Sequence, residues 1–135
     1  MFAQAVHAGL QLGLALTLST AVFTLQQKSL KVVLAVGESV KVPDSNVAVT
    51  FKDVVGDSRC PAGTTCIWEG DAAVLVSFDT QGKSQTYTLH TSQQFQREAE
   101  HDGIRVVLIS LAPHPAAGSS LRRDQYRANL LIERK

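Results

Sequence analysis

From Leu30 onward the chain alternates between apolar and polar positions. Leu30, Val32, Leu34 and Val36 share one parity, with Lys31 and Ala35 on the other, the period-two signature of a half-buried strand. Gly37-Glu38 turns the chain, and Val40 and Val42 resume the alternation around Lys41. Pro43-Asp44-Ser45-Asn46 ends that strand with residues suited to a turn. Val47, Val49 and Phe51 form a third strand that runs through Val54-Val55-Gly56 into a cysteine-containing loop. Beyond it, Ala72, Val74, Val76 and Phe78 alternate with Ala73, Leu75 and Ser77, and apolar residues on both faces predict an interior strand.

Asp79 to Gly82 is a turn, and Gln85 to Thr91 follows with Tyr87 and Leu89 inward and Thr86, Thr88 and His90 toward water. Ser92 to His101 carries only Phe95 and Ala99 as apolar points, so an exposed strand or loop is expected before the hairpin turn Asp102-Gly103. Ile104 to Leu111 reads as a second interior strand, Ala112 to Ser120 as a surface loop whose prolines lack ladder donors, and Tyr126 to Ile132 as the closing strand. The pattern predicts an all-β antiparallel β-sandwich of about seven to eight strands, Ig-like or a flattened barrel.

Ahead of these strands, Ala3 to Leu25 contains no charged side chain, whereas Gln26-Gln27-Lys28 turns polar abruptly. Leu10 to Leu18 supplies the apolar run of a secretory signal helix and Ser19-Thr20-Ala21 a small-residue cleavage site. The expected organisation is therefore a signal peptide over 1–26, cleaved after Ala21, followed by one β-sandwich domain over 27–135. An uncleaved N-terminal membrane anchor and a buried helix are the alternatives.

Composition fits one folded domain: 44% of residues are hydrophobic and 19% charged, which argues against a disordered chain. The formal net charge is +1 and Arg122-Arg123 is a doublet in a loop, so nucleic acid is not an expected partner. Cys60 and Cys66 lie six positions apart, too far for a Cys-x-x-Cys redox pair and without the second pair a structural zinc site needs. A local disulfide follows, which belongs in an oxidising compartment, periplasmic or extracellular.

Closing so short a loop stabilises a domain by about 2 to 2.5 kcal/mol on chain-entropy grounds. Pro61 restricts the loop further, and Gly63 supplies a positive φ where the turn needs one. Asp57 with Arg59 forms a local charge-assisted hydrogen bond. Trp68, two positions after Cys66, is expected on the same side of an extended chain, as an inner anchor packed beside the disulfide. The outer face is then the tip Arg59, Ala62, Gly63, Thr64 and Thr65.

The string Asp57-Ser58-Arg59-Cys60-Pro61, followed by Cys66-Ile67-Trp68-Glu69-Gly70-Asp71-Ala72, resembles a motif of a family of small exported bacterial proteins, many of them lipoproteins, with no assigned activity. Weaker similarity extends to Leu111-Ala112-Pro113 and to a final strand opening at Tyr126. Glu69 stands where that family usually has a small residue, and no lipid-attachment cysteine is present. The resemblance implies secretion and a small β fold and carries no activity.

Chemistry is sparse. Ser58, Ser84, Ser92 and Ser110 lie in no nucleophile-elbow setting, so no catalytic residue, enzyme activity or cofactor is expected. The expected role is a non-catalytic binding or structural module of the cell envelope, whose stapled tip meets a protein or other envelope component. The membrane enters only through the N-terminal segment if it is not cleaved. Two alternatives are a protease-inhibitor-like loop offering Arg59, and zinc or copper binding by His90, His101 and His114.

Overall fold

A computed structural model describes residues 28–135 together with 9, 13, 15, 16 and 18–22. The expected signal helix falls largely outside the described residues. Eight strands follow in order: β1 (Ser29–Ala35), β2 (Ser39–Lys41), β3 (Val47–Asp57), β4 (Ala72–Thr80), β5 (Lys83–His90), β6 (Glu98–His101), β7 (Ile104–Ala112) and β8 (Arg127–Arg134). A 3-10 turn, Arg123–Gln125, precedes β8. The strands make two antiparallel four-stranded sheets, ordered β1-β8-β7-β6 and β2-β3-β4-β5. Order around the two sheets thus follows the chain.

The core lies between the sheets and is built by the predicted parities. Val49, Phe51, Val74, Val76, Phe78 and Leu89 face inward from one sheet, and Ile104, Val106, Leu108, Leu130 and Ile132 from the other, all essentially without solvent contact. Burying side chains of this size stabilises by about 1.5 to 3 kcal/mol each, which is the main force holding the sheets together. β4 and β7 are interior strands, as their two-sided apolar content predicts. Ser92 to His101 divides into a loop and the short strand β6.

Three bulges break the alternation where the sequence pattern gives no warning. Register shifts between Phe51 and Asp53 and between Val54 and Gly56 leave Lys52 and Val55 as extra residues in β3. The two shifts cancel, so Asp57 returns to the inward parity opposite the buried Ala72. A third shift, between Leu108 and Ser110, makes Ile109 the extra residue of β7 and brings Leu111 inward opposite Ala128.

The strand directions sort the connections. The turns β2–β3, β4–β5 and β6–β7 lie at one end of the sandwich, and the long loops β3–β4, β5–β6 and β7–β8 lie at the other together with the short β1–β2 crossover. Gln81-Gly82 and Asp102-Gly103 both have positive φ at their two residues, the geometry of the two-residue turn that matches strand twist. The long-loop end is where a functional surface has room to form.

Candidate functional site

The centre of the long-loop end is a buried arginine. Because the β3 bulges return Asp57 to the inward face, its carboxylate needs a partner, and Arg59 supplies one from two residues along the same side. Arg59 Nε donates to Asp57 Oδ1 at 2.8 Å and Nη2 to Asp57 Oδ2 at 2.7 Å, a bidentate pair. The remaining guanidinium N–H groups reach the end of β7, with Nη1 donating to Leu111 O at 2.6 Å and Nη2 to Pro113 O at 3.0 Å. Tyr126 completes the network by donating its hydroxyl to Asp57 Oδ2 at 2.9 Å. Asp57 belongs to one sheet and Leu111 to the other, so the network ties the two sheets together.

This placement corrects one expectation. Arg59 is only 8% exposed and is not part of the outward tip. Nor can it be offered to a trypsin-like pocket as the inhibitor alternative requires, because its guanidinium is enclosed by Asp57 and two carbonyls.

The loop is a narrow hairpin standing on this base. Ser58 N donates to Asp71 O at 2.7 Å and Cys60 N to Glu69 O at 2.8 Å. Gly70 lies between them with φ of 74°, and a Cβ there would sit 2.0 Å from Ser58 O, so no other residue fits without moving the backbone. Cys60 and Cys66 form the expected disulfide. Pro61 starts the turn by accepting from both Thr64 N and Thr64 Oγ1, the latter at 2.7 Å, and Gly63 takes the anticipated positive φ.

Trp68 does not behave as an inner anchor. Ile67 and Trp68 lie in a bend rather than on an extended strand, so the parity argument that placed Trp68 beside Cys66 fails. Trp68 is 46% exposed and Ile67 fully exposed. Ala62, Gly63, Thr64 and Thr65 are exposed as expected, and the outward surface continues from them through Cys66 to Glu69.

Neighbouring loops buttress the hairpin. Ala62 N donates to Pro115 O at 2.9 Å, and Ala62 and Ala116 form an isolated parallel bridge. His114 Nε2 donates to Cys60 O at 2.7 Å. Arg123, read in the sequence as part of a solvated doublet, donates to Asp53 Oδ1 at 2.7 Å and to Lys52 O at 3.1 Å, clasping the first bulge of β3.

On the opposite flank Asp71 organises the β5–β6 loop. His90 Nδ1 donates to Asp71 Oδ2 at 2.6 Å, and Ser92 N donates to Asp71 Oδ1 at 2.9 Å. The buried Ser92 hydroxyl donates to Glu69 Oε1 at 3.0 Å, and the ring of Phe95 packs 5.1 Å from that of His90. The histidine and carboxylate are paired as in an oriented base, but the serine hydroxyl is committed to Glu69.

Electrostatics follow the same geometry. Burial opposes ionisation of Asp57, but the hydrogen bonds from Arg59 and Tyr126 and the charge of Arg59 outweigh it, so its carboxyl titrates below the ordinary range. Burial, with the Asp57 carboxylate beside it, raises the Tyr126 phenol above its usual value.

The three histidines considered for metal occupy three separate settings. His90 bonds Asp71, His101 lies with its Nδ1 3.3 Å from the Tyr87 hydroxyl, and His114 caps Cys60. Among the described residues no cluster of three potential metal ligands forms.

Tyr126 and Asp71 are site residues to which the sequence pattern assigns no role, and Glu69 and Ser92 stand out there only as a departure from the motif and as a serine outside a nucleophile elbow. Tyr126 was legible only as the opening of a strand, and nothing in the local pattern marks the other three as partners. No family model, no curated protein and no solved structure matches the chain. What the fold and the site define is a two-sheet β domain carrying a buttressed, disulfide-closed loop.

Proposed function

We propose that the chain is a non-catalytic recognition module of the cell envelope, and that the exposed arc Ala62 to Trp68 is the surface it presents. The observation that carries this reading is the contrast within one loop. Its base is fixed by the buried Arg59 network and by Gly70, while Ile67 and Trp68, two large apolar side chains, face solvent. Folding alone does not favour leaving a tryptophan and an isoleucine outside on a rigid hairpin, whereas partner binding does, since tryptophan is enriched at binding hot spots. A pre-ordered loop also loses little entropy on association.

Export to the periplasm or the extracellular space belongs to the same proposal. The disulfide suits an oxidising compartment, and the apolar N-terminal segment and the resemblance to small exported bacterial proteins point the same way. Site-specific photo-crosslinking in the producing cell tests the reading. A crosslinker at Thr65 or Ile67 is expected to give discrete adducts that vanish when Trp68 is changed to Ser. If those positions give no more adducts than Lys31 on β1, the arc is not a recognition surface.

A further inference from the structure

Strand β5 is an edge of its sheet, and most of its outer side is unclaimed. Backbone parity identifies the groups that face out. The Gln81-Gly82 turn closes on the pair Thr80 and Lys83, so the odd-numbered residues of β5 bond back to β4. The far end agrees, since Thr91 donates to Ala72 O at 3.0 Å while His90 donates outward to Gln96 O at 2.8 Å. The N–H and C=O groups of Ser84, Thr86 and Thr88 therefore project from the sheet edge, with no backbone partner among the described residues.

Three features set this edge apart: its length, its regular register and the absence of a charge from Ser84 to Leu89. β2 spans three residues and β6 four, too short to template a partner strand. β1 carries the charge of Lys31 inside its strand. β5 has eight residues, no proline and no bulge, and its only charged side chain is Lys83 at its start.

We propose that β5 pairs antiparallel with β5 of a second copy of this chain, about a two-fold axis through Thr86. In that register Thr86 opposes its own copy and Ser84 opposes Thr88, so all three outward residues fall in hydrogen-bonded pairs and every projecting donor meets an acceptor. The facing side chains are hydroxyl against hydroxyl, a favourable cross-strand combination. Lys83 falls opposite Leu89, so no like charges meet. The outward face of β5 is thus complementary to itself, and the two four-stranded sheets join into one of eight strands.

Sedimentation equilibrium of the full chain between about 10 and 500 µM tests the pairing, together with amide exchange at low and high concentration. The expected results are a mass that doubles with concentration and amides of Ser84, Thr86 and Thr88 that become protected in step. Thr86→Pro removes the central outward donor without touching the β4 ladder and is expected to give a monomer with an unchanged circular-dichroism spectrum. Thr86→Lys sets two ammonium groups opposite each other and is expected to weaken dimerisation at least tenfold, less so at high salt. Val33→Lys on β1 is expected to leave the mass unchanged. A monomer throughout the range, a dimer indifferent to both Thr86 variants, or one dissolved by Val33→Lys instead would each overturn the proposal, as would capture of a different protein along β5 by a monomeric chain.

Discussion

The Tyr126 hydroxyl donates to Asp57 Oδ2 at 2.9 Å across 69 positions of sequence, and the same oxygen accepts from Arg59 Nη2 at 2.7 Å. One carboxylate thereby joins the end of β3, the base of the cysteine loop and the start of β8. The loop end is held by this polar junction as well as by the disulfide.

Replacing Tyr126 by Phe removes a hydrogen bond to a charged acceptor and is expected to cost about 1.5 to 3 kcal/mol in urea unfolding at neutral pH. The pH dependence has a sign on each side. Asp57 has a folded pKa below its ordinary 3.8, so its contribution is complete above that value and is lost as pH falls through the lower folded one. Tyr126 has a folded pKa above its ordinary 10.0, so its contribution is present below pH 10 and is lost as pH rises through the folded value. The Phe variant is expected to show a shallower decline at both extremes, which unfolding midpoints measured across the pH range report.

Arg59→Met leaves the Asp57 carboxylate without its cation and is expected to destabilise the domain by about 3 to 5 kcal/mol. Arg59→Lys keeps the charge but cannot form the fork that spans one carboxylate and two carbonyls. Its stability is expected nearer to that of Met than to that of Arg. A lysine variant as stable as the parent in denaturant titration would show that charge alone sets the junction.

Two glycines of the same loop separate strain from contact. Gly63 has φ of 83° with open space around it, and Gly63→Ala is expected to cost about 1 kcal/mol from conformation alone. Gly70→Ala adds a collision with Ser58 O and is expected to cost well above that or to prevent folding. Thermal midpoints of the two variants give the comparison directly.

Reducing the disulfide is expected to lower stability by about 2 to 2.5 kcal/mol while leaving both sheets folded, because the Arg59 junction and the Cys60–Glu69 backbone bond do not depend on it. Amide exchange should accelerate at Thr64 and leave Val74 and Leu108 protected. Collapse of protection across the sheets would show that the staple supports the whole fold.

The strands were legible because burial on one face imposes period two, and Asp102-Gly103 was legible because a two-residue hairpin turn favours that pair. Period two cannot report a bulge. The extra residues Lys52, Val55 and Ile109 each reset the phase; the two in β3 cancel, so that only Asp53 and Val54 between them change face, while the one in β7 brings Leu111 inward. Arg59 was misread as part of the tip for a different reason: its inward course depends on carbonyls 52 and 54 positions away, which no local pattern reports. Trp68 was misread because alternation was extended across a bend. The disulfide was legible, being local, whereas the buttress from His114 and Pro115 pairs segments that only the fold brings together.

The separation of long loops from tight turns also fixes an orientation. β1 begins at the turn end, where Arg134 N donates to Lys28 O at 3.3 Å, and its seven residues run to the loop end. Lys28 therefore lies at the end of the sandwich opposite the cysteine loop. At about 3.3 Å per strand residue, the seven residues of β1 span roughly 23 Å, and that length of sandwich separates Lys28 from the end that carries the arc Ala62 to Trp68.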